Sequence, residues 1–346
     1  MEGQGVGRRC SGRAGCGIQP PMSVTRRIAL IATTSVAAAA LAPPATASPQ
    51  SFEAFLDGVR ADARRAGISN ATLQRALTGI QANPRVLELD RRQPEFTQTW
   101  EQYRDARLVA SRIDGGRRAF SDNRATLEAV QARFRVSPRV VVAIWGLETN
   151  YGGFTGTFNV VESLATLAWD GRRSAYFRNE LMAALKILDG GHIAPDRMRG
   201  SWAGAMGHPQ FMPSNFERLA VDMDGDGRRN IWDSRPDALG SIANYLARSG
   251  WREEELWGRE VTLPPGFDPA QARRENTKPL REWVRLGVRR ADGQPLPGLD
   301  LDTAILVPGA PGGQAFAVYP NFNVIRRYNP SNFYALVVGM LSDRVA

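Results

Sequence analysis

The sequence predicts an α+β fold that is predominantly helical, and three observations carry that prediction. Apolar residues recur at helical spacing in segment after segment from Phe52 to Leu188. Residues 258–300 turn richer in Pro, Gly and Arg, lose the helical period, and read as short strands and loops of a smaller lobe. Ala304–Val307 and Ala315–Val318, joined through Pro308-Gly-Ala-Pro-Gly-Gly313, then read as a hairpin. No internal repeat or low-complexity linker interrupts the helical half.

Residues 1–47 stand apart from that fold. Met22, the pair Arg26-Arg27, an apolar run Ile28–Leu41 and the small-residue site Ala45-Thr46-Ala47 follow the order of a signal peptide. Its apolar part is too short for a stable spanning helix. Residues 1–21 precede a good start at Met22 and read as an upstream extension. Thr25-Arg26-Arg27 leaves a twin-arginine route open beside the Sec route, and either delivers the chain to the periplasm. No Cys stands at the cleavage site, so no lipoprotein anchor is expected. Both cysteines, Cys10 and Cys16, leave with this segment. The mature chain then has no thiol, disulfide or Cys-based metal site. Removing five arginines and one glutamate lowers the net charge from +9 to +5. That balance suits an anionic polymer outside the cytoplasm and lacks the clustered basic run of a nucleic-acid binder. The 299 residues left can bury one large core or two smaller ones.

Phe52, Phe55, Leu56 and Val59 place a first helix before Gly67, and Ser69 starts a second. Glu95–Tyr103 begins a third element running towards Arg112, and Phe120–Phe134 reads as a fourth. Ser137–Gly153 is the most informative stretch. Ser137 is placed to cap and Pro138 fits the first helical position. Val141, Ile144, Trp145 and Glu148 then fall at i, i+3, i+4 and i+7, one face of a helix that Gly152-Gly153 ends. A lone carboxylate on an apolar face must pair with a cation, accept hydrogen bonds, or stay protonated through desolvation. The last suits a general acid near neutral pH. The competing reading is a buried structural Glu satisfied by backbone or Arg.

Asn159–Leu167 and Ser174–Leu188 are helical in period. Arg172-Arg173 and Tyr176 sit between and just inside them, either a solvated face or a site for polar or anionic substrate groups. Gly200–Ser214 has three glycines, two prolines and no charge other than His208, which marks a loop of close backbone approach. Ser201 and Gln210 offer neutral hydrogen bonds there, and Trp202, Phe211 and Met212 offer apolar surface, a mixture that suits sugar rings. Asp222-Met-Asp224-Gly-Asp226-Gly227-Arg228-Arg229-Asn230-Ile-Trp-Asp233 matches a calcium loop, with Arg228 at position 7 and Asn230 at position 9. Position 12 is Asp233 rather than the longer Glu, and Asp237 is the alternative closing ligand. Ala238–Ser249 continues as a helix carrying Asn244 and Tyr245. Tyr328-Asn329-Pro-Ser331 then precedes a last helix, Phe333–Leu341, with Ser331 as cap and Tyr334 in its first turn.

Trp-Gly-Leu-Glu148-Thr-Asn-Tyr-Gly, Ala-Thr-Leu-Ala, Arg172-Arg173-Ser-Ala-Tyr176-Phe, Gly-Ala-Met-Gly-His-Pro-Gln210-Phe-Met-Pro-Ser, the Asp222 loop, Gly-Ser-Ile-Ala-Asn-Tyr245 and Arg-Tyr328-Asn329-Pro-Ser together resemble the B-type lytic murein transglycosylases, glycoside hydrolase family 103. The resemblance spans most of residues 50–346. It implies a lysozyme-like helical core at 136–257 holding the calcium loop, an N-terminal helical lobe at 48–135, a small β-containing lobe at 258–320, and a C-terminal segment at 321–346 returning to the cleft. It implies Glu148 as the single acid/base, which cleaves the bond between N-acetylmuramic acid and N-acetylglucosamine and leaves a 1,6-anhydro end. Ordinary glycosidases need two carboxylates, and only one here lies on a clearly apolar face. By motif, Tyr103, Arg172, Arg173, Tyr176, Ser201, Gln210, Asn244, Tyr245, Tyr328, Asn329 and Tyr334 look like cleft residues. Where this chain has His208-Pro209, the family more often has an aromatic and a Gly. The resemblance further implies a monomer acting on peptidoglycan strands without a catalytic cofactor, with a structural calcium ion and contacts to cell-wall synthesis or division proteins.

Three other readings compete. A hydrolytic muramidase needs a second carboxylate, with Asp170 or Glu162 as candidates. A non-catalytic wall-binding protein needs no Glu148. A calcium-dependent adhesin rests on the Asp222 loop alone.

Overall fold

The computed structural model describes residues 50–92, 98–296 and 300–346; the leader and the Glu95–Thr97 start of the third expected element lie outside the described residues. α1 (Phe52–Arg65) and α2 (Asn70–Leu77) are capped by Ser51 and Ser69, whose side chains accept from backbone N–H groups three residues on. A helix absent from the sequence reading follows, α3 (Pro84–Arg91), started by Asn83 and Pro84. Only Val86 and Asp90 are buried on it, too few to register as a period.

The third expected element is two helices, α4 (Trp100–Arg107) under a Thr99/Gln102 capping box and α5 (Ala110–Asp122). The fourth begins later than its apolar pattern suggests, as α6 (Arg124–Phe134), because Asn123 turns the chain and donates its side-chain N–H to the Ala119 carbonyl. α7 (Pro138–Thr149) starts on Pro138, but Ser137 makes no side-chain cap bond.

β1 (Phe158–Asn159) pairs antiparallel with β2 (Arg199–Gly200) around α8 (Val160–Asp170) and α9 (Ser174–Asp189). α10 (Pro213–Leu219) and α11 (Arg235–Arg248) flank the acidic loop. The smaller lobe contains β3 (Gly258–Thr262), β4 (Lys278–Pro279), α12 (Leu280–Arg285), β5 (Arg289–Arg290), β6 (Asp302–Leu306) and β7 (Ala315–Val318), in sheet order β4-β6-β7-β3-β5. The expected hairpin is β6–β7, antiparallel with Ala304 opposite Val318. The six-residue α12 was not expected; it buries only Leu280 and Trp283. α13 (Pro320–Tyr328) and α14 (Asn332–Ser342) close the chain, and Ser331 caps α14 through the Tyr334 N–H.

Three apolar clusters organise these elements. One surrounds α7, where Val140–Trp145 are all buried, and draws in Trp100, α11 and α14. A second joins α1 and α2 to α8, α9 and α10 through Leu56, Leu73, Leu164, Leu181 and Phe216. The third lies under the sheet, between Val261, Ile305, Ala317 and the α12 residues Leu280 and Trp283. The helices read as one N-terminal lobe divide between the first two clusters, α1–α3 going to the second and α4–α6 to the first. Helices of eight residues bury one narrow stripe each and complete a core only against their neighbours.

Candidate active site

Glu148 occupies the last turn of α7, where the helix leaves the first core. Val141, Ile144 and Trp145 on its face are buried, and Glu148 is partly exposed. Its Oε1 accepts a 2.7 Å hydrogen bond from the Tyr334 hydroxyl of α14. Oε2 makes no hydrogen bond among the described residues. Burial raises the carboxyl to about 7, and the Tyr334 hydroxyl opposes that rise without cancelling it. Three tyrosines lie in its field. Burial first, and the Glu148 charge behind it, push the hydroxyls of Tyr334 and Tyr328 well above their ordinary value and raise that of Tyr103. All three therefore stay neutral donors at neutral pH.

The aromatic wall is built from four elements. Tyr245 of α11 and Tyr328 of α13 stand with ring centroids 4.6 Å apart, and Phe211 lies 5.8 and 5.9 Å from them. The Tyr245 hydroxyl donates to the Arg327 carbonyl and the Tyr328 hydroxyl to that of Pro209, at 2.6 Å for the latter. Phe211 is buried, so it backs this wall rather than offering the free surface its sequence context suggested. On the other side Tyr103 packs on Phe333, 5.6 Å between centroids, under the Arg107 guanidinium at 3.5 Å.

The 200–214 loop is shaped by its own side chains. Ser201 Oγ accepts from the Ala205 N–H, and Gln210, at φ 51°, donates from Nε2 to the carbonyls of Thr155 and Gly207. Asn244 donates to the Leu219 carbonyl and Asn329 accepts from the Ser331 N–H, so both brace backbone. Arg172 and Arg173 meet on Asp90 of α3, a carboxylate only 3 % exposed, at 2.9 and 2.7 Å. Neither they nor the exposed Tyr176 makes a hydrogen bond or ring contact with the Glu148 group among the described residues. The two arginines are therefore anchored by a partner on the helix that periodicity missed.

His208 is the residue whose role sequence reasoning missed. Its Nδ1 accepts a 2.8 Å bond from Trp145 Nε1, and its carbonyl accepts from Thr149 Oγ1. Burial lowers its pKa, consistent with a neutral ring carrying its proton on Nε2. Just after Glu148 the chain passes through left-handed Asn150, Tyr151 and Gly152, and a Cβ on Gly152 would stand 2.2 Å from the His208 ring. Only glycine fits there. The two clues available in the sequence were the neighbouring glycines and the departure from the family pattern at 208–209.

In the acidic loop, Asp237 rather than Asp233 lies beside Asp222 and Asp224. One oxygen from each of Asp222, Asp224 and Asp237 lies within 4.8 Å of the others. Asp237 is fully buried and accepts from the backbone N–H groups of Met223, Asp224 and Asn230. Burial raises its pKa, with the Asp224 charge adding to it. Asp233 points away to Arg197 at 2.8 Å, Asp226 caps its own turn through the Arg228 N–H, and Asn230 Oδ1 accepts from Trp232 and Asp233. Of the seven candidates, three converge. Three carboxylates packed this closely, one of them without solvent, fit a divalent cation.

Comparison with known proteins follows the same outline. The family model described as a transglycosylase SLT domain matches residues 51–343. The membrane-bound lytic murein transglycosylase B of Escherichia coli is 32 % identical over 253 residues, 71 % of this chain and 67 % of that one. The structure of SltB3 from Pseudomonas aeruginosa in complex with NAG-NAM-pentapeptide superposes with a TM-score of 0.83 at 47 % identity, covering 86 % of this chain and 80 % of that one. The E. coli lytic transglycosylase Slt35 in complex with calcium gives 0.70 at 30 % identity, covering 85 % and 92 %. With its helical core, its small antiparallel sheets and a match over residues 51–343, the chain belongs to the SLT-domain family of lytic transglycosylases, enzymes that cleave peptidoglycan.

Proposed function

We propose that the protein cuts the β-1,4 bond between N-acetylmuramic acid and N-acetylglucosamine without water, with Glu148 as sole acid and base. The observation that carries this reading is a carboxyl raised to about 7, held by one tyrosine hydroxyl. Near neutrality it is present in both forms. The acid form protonates the glycosidic oxygen. The carboxylate then takes the proton of the muramic acid C6 hydroxyl as that oxygen attacks C1, closing the 1,6-anhydro ring. An intramolecular nucleophile needs no positioned water and gains from proximity. The Tyr334 hydroxyl bonds Oε1, fixing the carboxyl plane while Oε2 serves the proton transfers.

Both candidates for the second carboxylate of the hydrolytic alternative are engaged by other residues. Glu162 Oε1 takes the Asn83 side-chain N–H at 2.7 Å, and Asp170 is paired with Arg91 at 2.8 Å. Burial and Tyr334 alone account for the behaviour of Glu148. In this reading residues 136–257 form the catalytic core, and Tyr103, Ser201, Gln210, Tyr245, Tyr328 and Asn329 line its cleft.

Asp222, Asp224 and Asp237 would hold calcium, which supplies positive charge that lets the three carboxylates stay together. Its place is structural: the loop ends at Ile231, whose carbonyl accepts from the His208 N–H at 2.9 Å. The leader pattern supports export to the periplasm, where the protein works as a monomer alongside cell-wall synthesis or division proteins. Among the described residues no helix is long and apolar enough to cross a membrane.

The deciding experiment is mass spectrometry of peptidoglycan digested with the mature protein and with Glu148→Gln. Muropeptides one water lighter than the reducing-end forms, absent with the variant, are expected. Reducing-end products would overturn the assignment in favour of a hydrolase, and intact peptidoglycan in favour of a binding protein.

A further inference from the structure

The sheet of the smaller lobe comes apart at one end. Between β3 and β7 the pairing stops at Val261 opposite Ala315, and between β6 and β7 at Leu306 opposite Phe316. Beyond those pairs residues 262–267 leave on one side and the 307–314 turn on the other. Both border a cavity of about 580 Å³, within the range of ligand pockets, about 300–1,000 Å³. Leu263, Phe267, Ala272 and Val307 line it while packing against the third apolar cluster, and Pro264 and Pro311 add to the wall.

Two kinds of polar group edge this cavity. Leu263, Val307 and Gln314 are partly exposed and make no backbone hydrogen bond among the described residues. They continue strands that have lost their neighbour, and such ends accept an extended chain through its own N–H and C=O groups. Glu260 is the one charged residue of the lining, and it forms no ion pair among the described residues. Arg259 and Arg290 of the same sheet are taken by Asp343 at 3.7 Å and Asp292 at 2.7 Å. A second carboxylate, Glu101 of α4, stands over Gly309 of the turn and is likewise without an ion pair among the described residues. Arg104 beside it is paired with Asp105 at 2.7 Å. The mouth of the cavity is therefore acidic in a chain of net charge +9.

A ligand for this place needs apolar side chains for the wall, main-chain groups for the strand ends and a cation for the carboxylates. We infer that the cavity docks an extended segment of a partner protein, with apolar side chains inside and a lysine or arginine on Glu260. The inference goes beyond the cleavage reaction and does not depend on it. Trp100 of α4 donates to Gln314 at the cavity edge at 2.9 Å and packs on Phe333, 5.5 Å between centroids. Phe333 in turn meets Tyr103, one turn further along α4 and in the field of Glu148. One helix thus runs from the cavity edge to the cleft, and a docked partner stands beside the active site.

The test pans a displayed library of random heptapeptides on the mature protein, then titrates the enriched peptide, made synthetically, by calorimetry. Enriched sequences are expected to join two or more apolar residues to a lysine or arginine. Glu260→Gln should weaken that peptide about two- to fivefold, as for one exposed ion pair, and the difference should vanish at high salt. Ala272→Phe, which fills the cavity, should remove binding. Glu260→Gln changes an exposed side chain and decides alone should Ala272→Phe fail to fold. No enrichment, enriched sequences without a basic residue, or unchanged binding by Glu260→Gln at low salt would overturn the docking site. Sedimentation supplies the last arm: self-association of the wild type that Ala272→Phe abolishes would put a second copy in the cavity and overturn the partner.

Discussion

Asp237 and Glu148 are both withdrawn from water, and the protein treats them differently. Asp237 has no exposed surface, yet both of its oxygens are saturated by backbone N–H groups and it keeps two other carboxylates beside it. Glu148 is less enclosed, receives one tyrosine hydroxyl and has no acidic neighbour acting on it. Burial raises both. Full satisfaction makes a carboxylate a structural fixture, whereas partial satisfaction leaves one oxygen free for proton transfer.

The sharpest way to break this contrast is to neutralise each acid in turn. Glu148→Gln is expected to lower cleavage by about a hundredfold to ten-thousandfold, the range that removing a positioned proton-transfer group costs. Its stability should move oppositely. A carboxyl raised from 4.5 to about 7 favours the folded state while protonated, so its support is lost as pH rises from the unfolded value through the folded one. Melting curves at pH 8 should place Glu148→Gln above the wild type by about 1–3 kcal/mol, and parity at pH 4 is the matching control. The same chemistry gives kcat/KM an alkaline limb near pH 7, as the acid form disappears.

Asp237→Asn should act on stability first. It presents an N–H to backbone groups that need an acceptor, an unfavourable burial of about 2–3 kcal/mol visible in denaturant midpoints. Chelation of the wild type is expected to lower the melting temperature by about 2–6 °C, and the variant should show little of that response. A chelator-sensitive variant would mean that Asp222 and Asp224 close the site without Asp237.

The smallest expected effect is that of Tyr334→Phe. The hydroxyl holds the Glu148 pKa down, so its loss should shift the alkaline limb to higher pH, with about a tenfold lower rate from a less fixed carboxyl. An unshifted limb would mean that the 2.7 Å bond does not reach the reacting oxygen.

The helical framework and the hairpin were readable because their apolar residues repeat over three or more turns or alternate beside turn signals. α3 and α12 escaped because two buried residues each do not make a period. Glu148 stood out through contrast with its own face, and Tyr334 through motif alone, since 186 residues separate the bonded pair. Pairings such as Asp90 with Arg172 and Arg173, or His208 with Trp145, join distant elements, and spacing carries no record of them. The acidic loop shows the limit most clearly. A twelve-residue template ended on Asp233 and left Asp237 as the alternative for a longer loop, and only the chain's path shows which carboxylate turns inward.

The His208 turn has a consequence for how the enzyme fails. Trp145 and Thr149 both end on it, while its own N–H hangs from Ile231 at the exit of the acidic loop. Met206 and Phe211 on either side of it are buried in the second apolar cluster, so the turn fastens the end of α7 to that cluster as well as to the acidic loop. A substitution that loosens it would therefore reach Glu148 and the acidic loop together, although neither is in the turn itself.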